Sequence, residues 1–339
     1  MSKDPIQTYR AALWPLPLHT QTQKKKMRRL GVEIEFAGLE ITPIAELIQE
    51  HFGGEIDRVS DYESFVRNTP LGVFGVELDF AYLKKLGREK DPDLEVDDLD
   101  NLTEGVLALV AKRLVPCEIV SPPLPMNEVW RLKSLITDLR GIGAKGTKHA
   151  IAYAFGLQFN PEMPDLKAET ILAYLRAFLA MFEWLRARSK IDLIRRVTPY
   201  IDPFEKDYIK LIMADDYAPD MDQLIDDYLK YNPTRNRALD MLPLFAHIDE
   251  DRVHAAVTDD RIKSRPTLHY RLPNCQIDEP EWGLIRPWRD WLQIEALACD
   301  ASRLDEVCKS YRKYLQNPAG ALFEDWAAAS TRWLLPELL

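Results

Sequence analysis

Apolar and polar residues alternate strictly over residues 30–36, and this pattern predicts a β-strand. Successive side chains of a strand point to opposite faces, so Glu33 and Glu35 share one face, about 7 Å apart, while the apolar residues share the other. Two carboxylates at this spacing can bind hard divalent cations. An acidic sheet face turned towards solvent is the other interpretation, and the pattern alone leaves both open.

The periodicity of the rest of the N-terminal half predicts further strands and helices. These are a helix over residues 41–52 ended by Gly53-Gly54, two strands within 65–80, an apolar-rich segment over 112–120, a helix over 127–140 with Asn127 as a candidate cap, and a strand over 151–160.

Two of these segments also present carboxylates opposite an apolar side. Glu118 faces away from Ile119 near the end of its segment, and Glu77 and Asp79 form another acidic pair at positions i and i+2. If the strands are neighbours in one sheet, their carboxylates form a single anionic basin. A Mg²⁺–nucleotide site needs such a basin, although the sequence does not fix the adjacency.

The second half of the chain changes from strands to helices. Apolar residues from Ile171 onwards fall on one helical stripe, and the pattern predicts a helical insert over about 165–249. A strand over 267–272 is expected to return to the sheet, and residues 288–339 to be mostly helical. Strands followed by a helical block, without regular βαβ alternation, predict an α+β fold.

The chain is predicted to have an N-terminal arm over residues 1–29 and a single catalytic domain over 30–339. Residues 141–146 match the GxGxxG pattern of dinucleotide-binding proteins. That motif requires a strand before it and a helix after it, whereas here a predicted helix comes first and a strand follows. A dinucleotide site is therefore not expected.

Cationic residues suited to anion binding lie in the C-terminal half. Thr234 can cap a helix, which places Arg235 and Arg237 in its first turn. A positive charge there opposes the helix dipole unless an anion is bound. A bound phosphate or carboxylate is one interpretation, and pairing with surface aspartates is the other. Arg271 shares a strand face with His269, either within a site or as an exposed pair.

Composition and charge restrict the class of protein. The 339 residues carry a net charge of -10, which disfavours a nucleic-acid partner because such proteins usually present a basic face. The sequence contains no run of about 18 apolar residues, so no membrane span is predicted. The four cysteines are scattered without a CxxC pair, which suits reduced thiols better than a zinc site or disulfides. We expect a soluble cytoplasmic protein with no membrane partner.

Five motifs, in their order along the chain, resemble the amidoligase family, a bacterial branch of the carboxylate–amine ligases related to glutamine synthetase and glutamate–cysteine ligase. The resemblance covers about residues 28–300 and implies a curved antiparallel sheet of the glutamine synthetase kind, with ATP and Mg²⁺ as cofactors. The motifs are Gly-Val-Glu-Ile-Glu-Phe at 31–36, Glu-Ile-Val-Ser-Pro-Pro-Leu at 118–124, Gly-Leu-Gln-Phe-Asn-Pro at 156–161, Arg-Ala-Leu-Asp at 237–240 and His-Tyr-Arg-Leu-Pro at 269–273.

The resemblance also implies roles for individual residues. Glu33, Glu35 and Glu118 would hold the Mg²⁺ ions that bridge the ATP phosphates. Arg237 and Arg271 would bind phosphate or the substrate carboxylate.

The remaining candidates match the family less directly. Arg235 would join the nucleotide site, and Asp79 fits loosely where relatives carry an acid. Gln158 and Asn160 stand where many relatives have His-x-His. These amides can hydrogen-bond substrate or a metal-bound water, but they cannot act as acid or base and are poorer metal ligands.

The resulting expectation is an ATP- and Mg²⁺-dependent ligase that joins a carboxylate to an amine through an acyl phosphate. Its substrates would be small amino acids, amines or peptides. Two alternatives stay open at this stage: a non-catalytic amino-acid or peptide-binding protein of the same fold, which the Gln158 and Asn160 substitutions favour, and an ATP-independent, metal-dependent amide hydrolase.

Overall fold

The computed structural model describes residues 14–78, 116–147, 155–189, 202–316 and 325–339. The strands within these ranges are β1 (Arg29–Phe36), β2 (Glu55–Arg58), β3 (Glu63–Thr69), β4 (Gly72–Leu78), β5 (Cys117–Val120), β6 (Leu124–Pro125), β7 (Leu157–Pro161), β8 (Leu239–Asp240) and β9 (His269–Tyr270). They form one open antiparallel sheet in the order β2-β3-β4-β5-β1-β7-β9-β8, and β6 pairs with the start of β1.

One face of this sheet is apolar. The side chains of Val32, Ile34 and Phe36 in β1 are buried, as the alternation predicts. Residues directly opposite each other in antiparallel strands lie on the same face. Phe159 lies opposite Val32, and Tyr270 lies opposite Phe159, so the apolar face continues to the end of the sheet that carries β9 and β8.

Helices cover this apolar face. The helices of the described residues are α1 (Ile41–Phe52), α2 (Leu132–Gly141), α3 (Ala168–Arg188), α4 (Lys206–Ile212), α5 (Met221–Tyr231), α6 (Leu242–Ile248), α7 (Glu250–Ala256), α8 (Ile285–Ala298), α9 (Ala301–Gln316) and α10 (Trp326–Ala329), and some of them pack directly on this face. Phe52 of α1 stacks on Phe74 with ring centroids 5.1 Å apart, and Trp288 of α8 meets Phe159 edge-on at 6.1 Å. The polar side chains of the strands lie on the other face of the sheet.

Several predicted elements are confirmed. The helix over 41–52 has the predicted bounds, and Gly53 ends it with a φ of 70°, a conformation that glycine adopts without strain. The two strands expected within 65–80 are β3 and β4, although Asp79 lies outside the described residues. The mixed α and β composition and the antiparallel sheet are also as predicted. A specific relationship to glutamine synthetase stays a prediction.

The helix predicted to begin at Thr234 is wrong. Strand β8 occupies residues 239–240, and the helix starts only at Leu242. Pro243 favours a start there because a first-turn residue needs no backbone donor, and Asp240 accepts a hydrogen bond from the Leu242 amide at 3.0 Å. Arg235 and Arg237 therefore lie in an irregular segment before β8.

Two smaller differences concern residues 127–147. Asn127 is not a helix cap, because a 3₁₀ turn over Val129–Arg131 leads into α2 instead. After α2 the chain turns at Gly143, with a φ of 108°, and Lys145 pairs with Ala37. Helix α2 thus precedes the GxGxxG match, in agreement with the rejection of a dinucleotide site. Among the described helices, none has the length and hydropathy needed to cross a membrane.

Candidate active site

The polar face of the sheet carries a row of glutamates across four adjacent strands. Glu35 lies directly opposite Glu118, Glu118 opposite Glu77, and Glu77 opposite Glu63. The strands that carry Glu35, Glu118 and Glu77 are therefore neighbours, which is the condition that the sequence left open. Burial raises the pKa of Glu77, and the nearby carboxylates of Glu63 and Glu33 raise it further. We call Glu33, Glu35, Glu118, Glu77 and Glu63 the acidic half of this face.

Glu33 lies on the same face, where the acidic residues meet cationic ones. Its Oε1 accepts a hydrogen bond from Asn160 Nδ2 at 2.7 Å and lies 3.7 Å from Arg265 Nη2. Its Oε2 lies 3.6 Å from His269 Nε2. Burial acts to raise the pKa of Glu33, but His269, Arg265 and Asn160 outweigh burial and hold that pKa well below its usual range. Glu33 is therefore a carboxylate at neutral pH.

The two amides of β7 lie between the acidic and cationic residues. Gln158 Nε2 donates to Glu35 Oε1 at 2.6 Å and to Glu118 Oε1 at 3.4 Å. The Gly156 amide donates to Glu35 Oε2 at 2.7 Å. Asn160 accepts from Arg265 Nη2 at 2.8 Å while it donates to Glu33. Sequence reasoning expected these amides to meet substrate or a metal-bound water, whereas in the structure they bind the glutamates.

Three arginines gather around one carboxylate at the other end of the face. Asp240 is fully buried, and its Oδ2 lies 3.4 Å from Arg271 Nη2, 3.9 Å from Arg235 Nε and 3.8 Å from His269 Nδ1. Burial raises the pKa of Asp240 although these arginines and Arg265 oppose the shift. We call Arg235, Arg265, Arg271, His269 and Asp240 the cationic half.

The cationic half has more positive charge and more donors than its own residues can satisfy. Three guanidinium groups lie beside two carboxylates, Arg235 and Arg271 at Asp240 and Arg265 at Glu33. Burial lowers the pKa of Arg235, and the neighbouring Arg271 lowers it further. The Nε atoms of Arg235 and Arg265 are buried without a hydrogen-bond partner in the described part of the chain. Buried unpaired donors of this kind are unfavourable, and an oxyanion would satisfy them.

His269 is neutral in this setting. Burial and the charge of Arg271 lower its pKa to about 3, even though Glu33 opposes them. Arg271 Nη2 donates to His269 Nδ1 at 3.2 Å, so the proton of the neutral ring lies on Nε2, and Nε2 donates to Gln158 Oε1 at 2.5 Å. His269 thus links the cationic half to β7.

Arg237 does not join this group, contrary to the role that the resemblance implied. Its Nε donates to Asn232 Oδ1 at 2.8 Å, and its Nη1 and Nη2 donate to the carbonyls of Pro203 and Tyr231. The side chain is buried over the Phe204 ring. Its three nitrogens tie backbone segments together, so we assign it a structural role. The position of Asp79 lies outside the described residues.

Two residues of the polar face, Arg265 and Glu63, were not predicted from the sequence, and two others were given little weight. Arg265 lies just before β9, with no periodic signal to indicate its direction. Glu63 begins β3, earlier than the predicted strand. His269 was recognised only as sharing a strand face with Arg271, and Asp240 was given no role, although an aspartate or a histidine inside an apolar segment indicates a buried polar group.

The donor chemistry of the acidic half suits Mg²⁺. Carboxylate oxygens are the hard ligands this ion prefers, and Glu35 and Glu118 lie directly opposite each other. Across the described ranges, no three His, Cys, Asp or Glu side chains are grouped closely enough to hold a metal on their own. Mg²⁺ in phosphoryl-transfer sites is usually held by one or two carboxylates together with waters and phosphate oxygens, so a complete protein cage is not required.

Comparison with known proteins identifies the family. The model of the family described as "putative amidoligase enzyme" matches residues 26–293, which include both halves of the polar face. Neither the curated proteins nor the solved structures yield a match to the chain. Since the family model spans well over half of the sequence, the chain belongs to the amidoligase family.

Proposed function

We propose that this amidoligase is an ATP- and Mg²⁺-dependent carboxylate–amine ligase that forms an amide bond through an acyl phosphate, on a sheet of the glutamine synthetase kind. The observation that carries the proposal is the division of one sheet face into an acidic half and an adjoining cationic half. A ligase of this kind must bind a cation and several oxyanions side by side. Its substrates would be small amino acids, amines or peptides.

The acidic half would bind the metal. Glu33, Glu35 and Glu118 are the proposed ligands, of which Glu35 and Glu118 are the closest in register. Mg²⁺, when bound, supplies positive charge that neutralises phosphate oxygens during phosphoryl transfer. The hydrogen bonds from Gly156 and Gln158 fix the carboxylate of Glu35 in place. Rigid ligands of this kind lose little freedom when they bind.

The cationic half would bind the anionic groups. A carboxylate is a poor electrophile because its negative charge repels a nucleophile, and phosphorylation removes this obstacle. Arg235, Arg265 and Arg271 can donate to phosphate or carboxylate oxygens, and guanidinium groups do so in bidentate fashion. The transferred phosphate and the acyl oxygen carry the developing charge that these donors would stabilise.

The amine half-reaction needs a group that accepts a proton. The neutral amine attacks the acyl carbon, the C–N bond forms, and the bond from that carbon to the phosphate oxygen breaks. Glu77, whose pKa is raised by burial and by Glu63, is suited to attract an ammonium group and take its proton. Asp79, two residues further along the chain, stays a second proposed candidate.

The test is phosphate release from ATP with Mg²⁺, screened against pooled amino acids and polyamines. We expect release only when an acid and an amine are both present, and we expect Glu35→Gln to abolish it. Glu169→Gln is the matched control, because Glu169 is an exposed carboxylate away from the polar face, 3.9 Å from Lys167. Undiminished release by the Glu35 variant would refute the assignment of the site.

A further inference from the structure

A continuous chain of hydrogen bonds crosses the polar face from the cationic to the acidic half. Arg271 Nη2 donates to His269 Nδ1 at 3.2 Å, and His269 Nε2 donates to Gln158 Oε1 at 2.5 Å. Gln158 Nε2 then donates to Glu35 at 2.6 Å and to Glu118 at 3.4 Å. Of these residues, His269 and Gln158 each accept on one side and donate on the other.

This chain fixes the direction of the Gln158 amide. Since His269 Nδ1 accepts from Arg271, its single proton lies on Nε2, and only the carbonyl oxygen of Gln158 can accept it. The NH₂ group must therefore point towards Glu35 and Glu118. Gln158 is buried within β7, so the amide cannot turn towards solvent instead.

The two carboxylates need such a group. Glu35 and Glu118 are directly opposite each other in neighbouring strands, where like charges are destabilising. An NH₂ group has two N–H bonds and can donate to both carboxylates at once. It offsets their repulsion without a net charge. A hydrogen bond to a charged acceptor is also stronger than one between neutral groups.

We propose that Gln158, oriented by His269, is the positioning residue that holds the side chains of Glu35 and Glu118 together. The residue that departs from the family pattern is then an organising element of the acidic half. This inference rests on the proposed function only for the identity of the cation that the two carboxylates bind. The contacts themselves are independent of it.

The test is a set of thermal melts at neutral pH with Gln158→Met, which keeps the length and bulk of the side chain but removes the donors. We expect its melting temperature to fall by about 4 °C. In a Glu118→Gln background, where the repulsion is absent, the same substitution should cost less than half as much. Millimolar Mg²⁺ should likewise recover at least half of the loss.

Gln293→Met is the matched control, because Gln293 is buried away from the polar face and both of its amide atoms bond to the backbone of Leu335 at 2.8 Å. The fall in melting temperature caused by Gln293→Met should be the same with and without Mg²⁺ and in either background. An equal loss from Gln158→Met in all conditions would reduce Gln158 to a packing role and overturn the proposal.

A second set of variants tests the orientation by His269. His269→Phe cannot donate to Gln158, so it should lower the melting temperature, and this loss should be smaller in the Glu118→Gln background. His269→Gln keeps an N–H donor and should melt closer to the wild type. If both variants behave alike, the proposed orientation by His269 is refuted. Should Gln158→Met not fold, Gln158→Asn serves instead, since it keeps the amide but shortens its reach, with a smaller loss and the same rescue expected. None of these measurements requires ligase turnover, so a negative phosphate-release screen leaves them interpretable.

Discussion

Two buried arginine sites in this protein differ in how completely their charges and donors are satisfied. Arg28 is fully buried and pairs with Glu295, whose two carboxylate oxygens lie 2.7 and 2.8 Å from its Nη1 and Nη2. Its Nε donates to the Glu162 carbonyl, and Nη1 also donates to the carbonyl of His19. Burial opposes its charge, but Glu295 raises its pKa above the ordinary value. One cation thus meets one anion, and every guanidinium nitrogen is bonded.

The cationic half of the polar face shows the opposite situation. Arg235 and Arg271 share Asp240, Arg265 lies beside Glu33, and the Nε atoms of Arg235 and Arg265 are buried without a hydrogen-bond partner in the described ranges. Both sites are conspicuous as buried charge, yet only the second has charge and donors in excess. Burial alone therefore does not distinguish a ligand site from a structural ion pair. The distinguishing features are the hydrogen-bond donors without a partner and the excess of positive charge.

The largest expected effect comes from breaking the satisfied site. Arg28→Met would leave Glu295 buried without its cation and should reduce the free energy of unfolding by about 3–5 kcal/mol in urea titrations. Replacing Glu295 with Met as well should recover much of the loss, because a buried pair can often be exchanged for apolar residues. A loss below about 1 kcal/mol would contradict the structural role of the pair.

Breaking the unsatisfied site should have the reverse signature. Arg265→Met removes one of three neighbouring cations but also a partner of Glu33, so we expect a smaller loss of unfolding free energy than from Arg28→Met and a fall of about 100-fold in ATP-dependent phosphate release, or about 2.7 kcal/mol. Arg58→Met is the control, since Arg58 is exposed and pairs with the exposed Asp61. Equal turnover of the two variants would remove Arg265 from the site.

The two halves of the polar face also differ in how far the sequence could predict them. Glu33, Glu35 and Glu118 lie in regular strands, where alternation determines the face of every side chain. Only the pairing of the strands was missing. Arg235 and Arg265 lie outside the regular elements, so no period indicates their direction, and their convergence on one site depends on tertiary packing.

Arg237 shows a second limit of the sequence pattern. Thr234 is a good capping residue, and the pattern placed Arg237 in a helical turn that the chain does not form. Strand β8 takes its place because Asp240 and its neighbour pair with β9, a contact between segments about thirty residues apart. The position of Gln158 on the site face followed from the motif, but its three partners could not be known without the register.

The cationic half should also make stability depend on pH. The pKa of His269 is about 3 in the folded protein, against 6.5 for the unperturbed side chain. Between these values the unfolded chain binds a proton that the folded one does not, so the free energy of unfolding falls as pH falls. The difference between pH 6.5 and pH 5 should be about 2 kcal/mol.

Urea titrations of wild type and His269→Gln at both pH values isolate this contribution. Glu33, whose folded pKa is lowered too, loses stability mainly below about pH 4.5, outside this interval. The variant should therefore be about 2 kcal/mol less sensitive to this change of pH than the wild type. If the slopes are the same, the histidine is not held in its neutral form.

The smallest expected effect is stabilisation by an inorganic oxyanion. Sulfate can accept the donors that Arg235 and Arg265 leave unpaired, whereas the guanidinium of Arg28 has every nitrogen bonded. At about ten times its dissociation constant, sulfate should stabilise the wild type by about 1.4 kcal/mol.

Sulfate also stabilises proteins in general because it is excluded from their surface, so the informative quantity is the difference from Arg265→Met at matched ionic strength. That variant should show only the general gain, and Arg58→Met should respond as the wild type does. Equal gains in all three proteins would mean that the arginines of the cationic half are compensated within the protein, and the distinction between the two buried arginine sites would fail.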